Sequence, residues 1–148
     1  LRKTAFGLNL ALHPIIEERM KSSEQAPKPK ILVLNDDEHL LKTRRLLLEA
    51  FGAHVTTGRG THESVHEILV EPADLVLIDA TNVGLGHGEY LCEVVKRIHP
   101  LQPVALLVKA EYGVPTETKA DRIIFRTDPR QILREVNELL QYRLELSS

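Results

Sequence analysis

The chain has a single cysteine, Cys92, a single methionine, Met20, and no apolar run approaching the ~18 residues that a membrane-spanning helix needs. Each scarcity excludes something. One cysteine cannot build an intramolecular disulfide framework, and its neighbours Leu91, Val94 and Val95 make it a buried helical thiol, which fits a reducing cytosol. Neither charge sign dominates: 19 Lys and Arg against 21 Asp and Glu leave a formal charge of −2. That balance argues against nucleic acid or a membrane surface as the main partner. There is no internal repeat, and the only biased stretch is the polar linker Lys21 to Lys30 (KSSEQAPKPK). Met20, just ahead of that linker, reads as the natural first residue. Arg2, Lys3 and the apolar stretch Ala5 to Leu12 imitate a signal peptide only faintly, because no small-residue cleavage site precedes Pro14 and the charged run Glu17, Glu18, Arg19. The expected location is the cytoplasm.

At 148 residues the chain is one domain by length, able to bury roughly 70% of its unfolded surface without a metal or disulfide. Its division is an extension and linker over 1–29 and a folded domain over 30–146. The most informative stretch is Ala73 to Gly88 (ADLVLIDATNVGLGHG). Its apolar run Leu75 to Ile78 is too short for a helix, stops at one carboxylate, Asp79, and opens into what reads as a flexible glycine-rich loop, Gly84 to Gly88. The acid therefore stands at the carboxyl end of a buried strand, where a doubly wound sheet places its chemistry. An earlier run, Ile31 to Leu34, leads to Asn35, Asp36, Asp37 and Glu38. If the two strands are neighbours, their acids converge on one site.

The remaining chain alternates in the same manner. Leu40, Leu41, Arg44, Leu47, Leu48 and Phe51 recur at helical spacing, and Gly52 follows as a C′ glycine. Ala53 to Thr57 reads as a second strand, followed by a helix packed through Val65, Ile68 and Leu69 and closed by Pro72. Glu89 to Ile98 reads as a third helix and Val104 to Val108 as a fourth strand. The connection Lys109 to Asp121, broken by Gly113 and Pro115, holds no more than one or two helical turns. Arg122 to Phe125 is a fifth strand, and Asp128 with Pro129 caps a last helix. Strands separated by helices imply right-handed crossovers and an α/β sandwich of three layers around a parallel sheet.

From Lys30 to about Leu144 these residues resemble the receiver domain of two-component response regulators. The segments ILVLNDDEHLLKTRRLLLEAFGAHV, GRGTHESVHEIL, ADLVLIDATNVGLGHGEYL and ADRIIFRTDPRQILREV are similar to its landmarks in order and spacing. The resemblance implies a flavodoxin-like, doubly wound five-stranded parallel sheet of order 2-1-3-4-5, with the fourth helix shortened or missing. It implies that Asp79 is the phosphoacceptor, supplied by a histidine kinase or phosphotransfer protein. Mg²⁺ would be held by Asp36, Asp79 and the backbone carbonyl of Thr81, with Asn35 or Asp37 as further candidates. Arg126, helped by Lys109, would hold the phosphoryl oxygens.

Three departures bear on the switch: Asn35 replaces one of the usual acids, Val108 the usual hydroxyl residue, and Arg126 the usual lysine. Thr127 also stands for the usual proline. Arginine is a planar fork where lysine is a compact charge, so that exchange is not conservative. Two readings stay open, an atypical phosphoacceptor and a phosphorylation-independent pseudo-receiver that docks proteins. Either is a signalling module rather than an enzyme, a monomer or weak dimer that acts through an unknown downstream protein.

His62, Glu63 and His66 spell H-E-x-x-H, the zinc-protease helix. A hydrolase would need a third ligand from Glu89 or Glu93, and Leu69 stands where the extended motif has glycine. Two exposed histidines are the plainer reading. GLGHG lacks the lysine and hydroxyl of a P-loop, and the basic run Lys42, Arg44, Arg45 reads as a solvated face, with a partner-docking patch as the alternative.

Overall fold

A computed structural model describes residues 14, 27–113, 117–125 and 128–147. The expectations for Met20, the signal-like stretch, Arg126 and Thr127 lie outside the described residues. Five strands, β1 (Lys30–Leu34), β2 (His54–Gly58), β3 (Leu75–Asp79), β4 (Val104–Leu107) and β5 (Arg122–Ile124), form one parallel sheet of order β2-β1-β3-β4-β5. They alternate with helices α1 (Glu38–Phe51), α2 (His62–Ile68), α3 (Leu85–Ile98) and α4 (Pro129–Ser147). Between β4 and β5 the described residues hold only a 3₁₀ turn, Ala110–Tyr112, so the stub expected in place of a full helix is what stands there.

Successive strand side chains point to opposite faces, and the strands use both. Ile31, Val33, Val55, Leu75, Leu77, Ala105, Leu107 and Ile124 pack with Leu41, Leu47, Leu48 and Phe51 of α1 and Ile132, Leu133 and Val136 of α4. Leu32, Leu34, Val76, Ile78, Val104 and Leu106 pack with Val65 of α2 and Leu91, Val94 and Val95 of α3. The near-continuous apolar strands follow, because a parallel sheet covered on both sides has no wet face.

Caps set the helix ends. Asp37 accepts from the backbone N–H groups of His39 and Leu40 and starts α1; Gly52, at φ 111°, ends it. Thr61 caps α2 through Ser64 N, and Asp128 Oδ1 accepts from Arg130 N at 3.0 Å at the start of α4.

One expectation is corrected. The glycine-rich stretch is not a loop: after Gly84, at φ 89°, α3 begins at Leu85, four residues ahead of the expected start. Gly86 and Gly88 lie in its first turns, despite glycine's poor helix propensity, because tertiary packing overrides it there. A Cβ on Gly88 would stand 2.7 Å from Leu106 Cδ1 and 2.9 Å from the Ala80 Cβ, so the helix approaches the sheet only with glycine at that position.

Cys92 is fully buried on α3, as expected from its neighbours. Burial, with a smaller effect from the Glu89 carboxylate, pushes its thiol up from 9.0 to about 12. At pH 8 its thiolate fraction is then on the order of a thousandfold below that of an unperturbed thiol. Cys92 is accordingly expected to react with Ellman's reagent only through unfolding, at a rate that tracks denaturant. Rapid labelling of the native protein would contradict its burial. Because the folded state holds the proton more tightly, this stabilisation is complete below pH 9 and is lost as pH rises from 9 towards 12.

Candidate functional site

Asp79 is the last residue of β3 and shares its face with Leu75 and Leu77, the face that α1 covers. On α1, Arg44 lies on the same inner stripe as Leu41, Leu47, Leu48 and Phe51 and is 7% exposed. The two elements therefore press an arginine against an aspartate. Arg44 Nε donates to Asp79 Oδ2 at 2.7 Å, with the aspartate side chain 0% exposed. The other carboxylate oxygen is also occupied: Thr81 N and Thr81 Oγ1 donate to Asp79 Oδ1 at 3.0 and 2.6 Å. This corrects the solvated-face reading of Lys42, Arg44 and Arg45. Lys42 is exposed, but Arg44 is buried and Arg45 half-buried against Thr57.

β1 and β3 are neighbours, as the site required, with Leu34 level with Ile78. What converges on Asp79 from β1 is the amide of Asn35 and not the acids. Asn35 Nδ2 donates to the Asp79 backbone oxygen at 2.6 Å and to Asn82 Oδ1 at 2.7 Å, while its own Oδ1 accepts from Asp37 N at 2.6 Å. Asn35 is 3% exposed, so these bonds satisfy a buried amide. A carboxylate at this position would set acceptor against acceptor.

Asp36 turns towards the β2–α2 connection, where its Oδ1 accepts from Gly60 N at 3.0 Å and lies 3.6 Å from Arg59 Nε. Asp37 is committed to the cap of α1. The hydroxyl and N–H of Thr81 serve Asp79. Val108 is fully buried, and its N–H donates to Ile124 O; Lys109 is exposed at the start of the 3₁₀ turn.

Mg²⁺ is the ion that the resemblance implies for this site. The ion takes near-octahedral oxygen ligands at 2.0–2.1 Å through one or two carboxylates. Here the buried carboxylate accepts three hydrogen bonds, a guanidinium pairs with it, and Asp36 and Asp37 are bonded to Gly60 N and to the start of α1. Among the described residues no group of three or more His, Cys, Asp and Glu side chains is placed to hold a metal ion. The third ligand that a zinc hydrolase would need from Glu89 or Glu93 is therefore not assembled with His62 and His66.

Arg44 is the functional residue that sequence reasoning misassigned. Its place on the inner stripe of α1 was visible as a helical period, where a buried charge needs a partner, but the period does not name that partner. Elsewhere, Arg122 of β5 ties the sheet edge to α4 through Glu135 and Glu138 at 2.8 and 2.9 Å, and its guanidinium is raised by those two hydrogen bonds.

No protein-family model and no curated protein matches the sequence. Solved structures do. A CheY-like response regulator receiver domain protein from Methanospirillum hungatei JF-1 is 23% identical, with a TM-score of 0.65 over 80% of this chain and 98% of its own. The BeF₃-activated DrrB receiver domain is 26% identical, with a TM-score of 0.58 over 77% of this chain and 98% of its own. The response regulator TrrA from Thermotoga maritima, solved in complex with Mg²⁺ and BeF, is 17% identical, with a TM-score of 0.63 over 75% of this chain and 98% of its own.

Proposed function

Because the chain has the fold of response-regulator receiver domains, we propose that it is a pseudo-receiver, a docking module of a two-component pathway that works without phosphoryl transfer to Asp79. One observation carries this reading: Asp79 is 1% exposed, and both of its oxygens are engaged, one by Arg44 and the other by Thr81. Attack on phosphorus needs a carboxylate oxygen with a free lone pair, in line with the incoming group and about 3–3.5 Å from it. Arg44 occupies one side of Oδ2, and burial closes the acid to solvent.

The cation also replaces what phosphorylation would change. In a receiver that switches, added phosphate brings about −1.5 to −2 charges that nearby donors must answer. Here the acid is already neutralised by an internal guanidinium, Val108 offers no hydroxyl, and Asn35 holds the end of β3 to β1 through Nδ2. In this reading the surface that the domain presents does not depend on phosphorylation. The partner class is a histidine kinase, a histidine-phosphotransfer protein or the protein downstream of them. The cytosol is the compartment where such a partner is met.

The second reading, phosphoryl acceptance on Asp79 with Mg²⁺, rests on the acid's place at the carboxyl end of the central strand, level with Leu107 of β4. Intact mass after incubation with acetyl phosphate and Mg²⁺ separates the two. The expected result is no gain of a phosphoryl group, and amide spectra that do not change on adding BeF₃⁻ with Mg²⁺. A gain that requires Mg²⁺ and disappears in Asp79→Asn would replace the docking reading with the phosphoacceptor one.

A further inference from the structure

The H-E-x-x-H sequence is left unused by the docking reading. His62 and His66 lie one turn apart on α2, both exposed, and Thr61 fixes the first turn by accepting from Ser64 N at 3.2 Å. Their rings do not stack face to face. The centroids are 4.3 Å apart with the planes tilted by 45°, and the two Nε2 atoms meet at 3.2 Å.

That separation is informative. A first-row metal ion binds imidazole nitrogen at about 2.0–2.1 Å, so two nitrogens 3.2 Å apart subtend roughly 100° at an ion seated between them. The angle lies between the tetrahedral and square arrangements, so the spacing of the two nitrogens already suits one ion. Without an ion, one ring N–H donates to the other ring's lone pair, an exposed neutral hydrogen bond worth about 1 kcal/mol or less. Glu63 and Glu67 flank the pair in sequence on the same short helix and add negative charge near the cation. His87 and His99 are differently committed, with Nε2 directed at the backbone oxygens of Gly60 and Leu69 at 3.0 and 2.9 Å.

We infer that His62 and His66 chelate one divalent transition-metal ion of the copper, nickel or zinc class through their two Nε2 atoms. Water completes the coordination, since no third ligating side chain joins them among the described residues. Catalytic zinc sites take three protein ligands, so the chelate is a binding site and not the hydrolase that the motif taken alone suggests. Borderline ions suit imidazole, while Mg²⁺ prefers oxygen, so the site selects a different metal class from the one receiver chemistry uses. The inference does not depend on the docking function.

Calorimetric titration of the 148-residue protein with Cu²⁺, Ni²⁺ and Zn²⁺ tests it. The expected result is one equivalent bound, with Cu²⁺ tighter than Ni²⁺. His62→Gln and His66→Gln should each weaken binding at least tenfold, no less than the roughly 10–100-fold cost of losing even an outer-sphere partner. His39→Gln, on the first turn of α1, should bind as the wild type does. Circular dichroism of each variant confirms that the surface substitutions leave the fold intact. Electron paramagnetic resonance of the Cu²⁺ complex should show two coupled nitrogens. Undiminished binding by either pair variant, or a spectrum without two histidine nitrogens, overturns the assignment.

Discussion

Arg44→Ala is expected to destabilise the protein by about 3–5 kcal/mol, the cost of leaving a buried partner charge uncompensated. In a domain of this size that is a fall in Tm of about 10–20 °C. The loss does not measure the worth of the pair, because desolvating both ions offsets most of their attraction. It measures what Asp79 costs when its carboxylate stays buried with only the Thr81 donors. The double variant Arg44→Ala, Asp79→Asn should therefore lose clearly less than the sum of the two single changes, since it removes both charges together. Urea denaturation of the four proteins closes that cycle. A loss below about 1 kcal/mol for Arg44→Ala, the range of solvent-exposed pairs, would show that the guanidinium is not what neutralises Asp79, and the docking reading would lose its main support.

Phe51→Ala should cost about as much, roughly 3–5 kcal/mol, through a different cause. Phe51 is the last residue of α1, fully buried in the cluster shared by α1, α4 and the sheet, with the Gly52 cap directly behind it. Truncating the ring removes its transfer free energy and leaves a cavity in a wall made of strands and helices that cannot collapse freely. The urea midpoint should fall with the slope unchanged, because the surface exposed on unfolding is nearly the same. The position matters for the site as well. Phe51 anchors the carboxyl end of the helix whose inner stripe holds Arg44 over Asp79. A loss under about 1 kcal/mol would indicate that this end of α1 is not held by the core.

These two residues also show how the site was and was not legible. The stripe Leu41, Arg44, Leu47, Leu48, Phe51 was visible as a helical period, and Phe51 on it reads directly as core. Arg44 on the same stripe admits two readings, a long side chain reaching out to water or a charge turned inward to a partner. Period alone does not separate them, because the choice depends on which strand end lies beneath that turn of the helix. The same holds for the acids after β1. Asp36 and Asp37 are adjacent in sequence, yet one turns to Gly60 and the other caps α1, directions set by the path of the backbone at the strand end. The glycine-rich stretch was misread for a related reason: glycine normally breaks a helix, and only close packing against Leu106 and Ala80 makes it the required residue at position 88.

By itself, the sequence determined the five strands, their alternation with helices, the shortened connection after β4 and the placing of Asp79 at a strand end. All of these follow from local periodicity and from turn and cap residues, which act over a few neighbours. The tertiary structure alone decided the state of Asp79. Whether a carboxylate meets a metal, water or a guanidinium depends on which side chains two distant segments bring within 3 Å, and residues 35 positions apart, Arg44 and Asp79, carry no sign of that meeting until the helix is laid on the sheet.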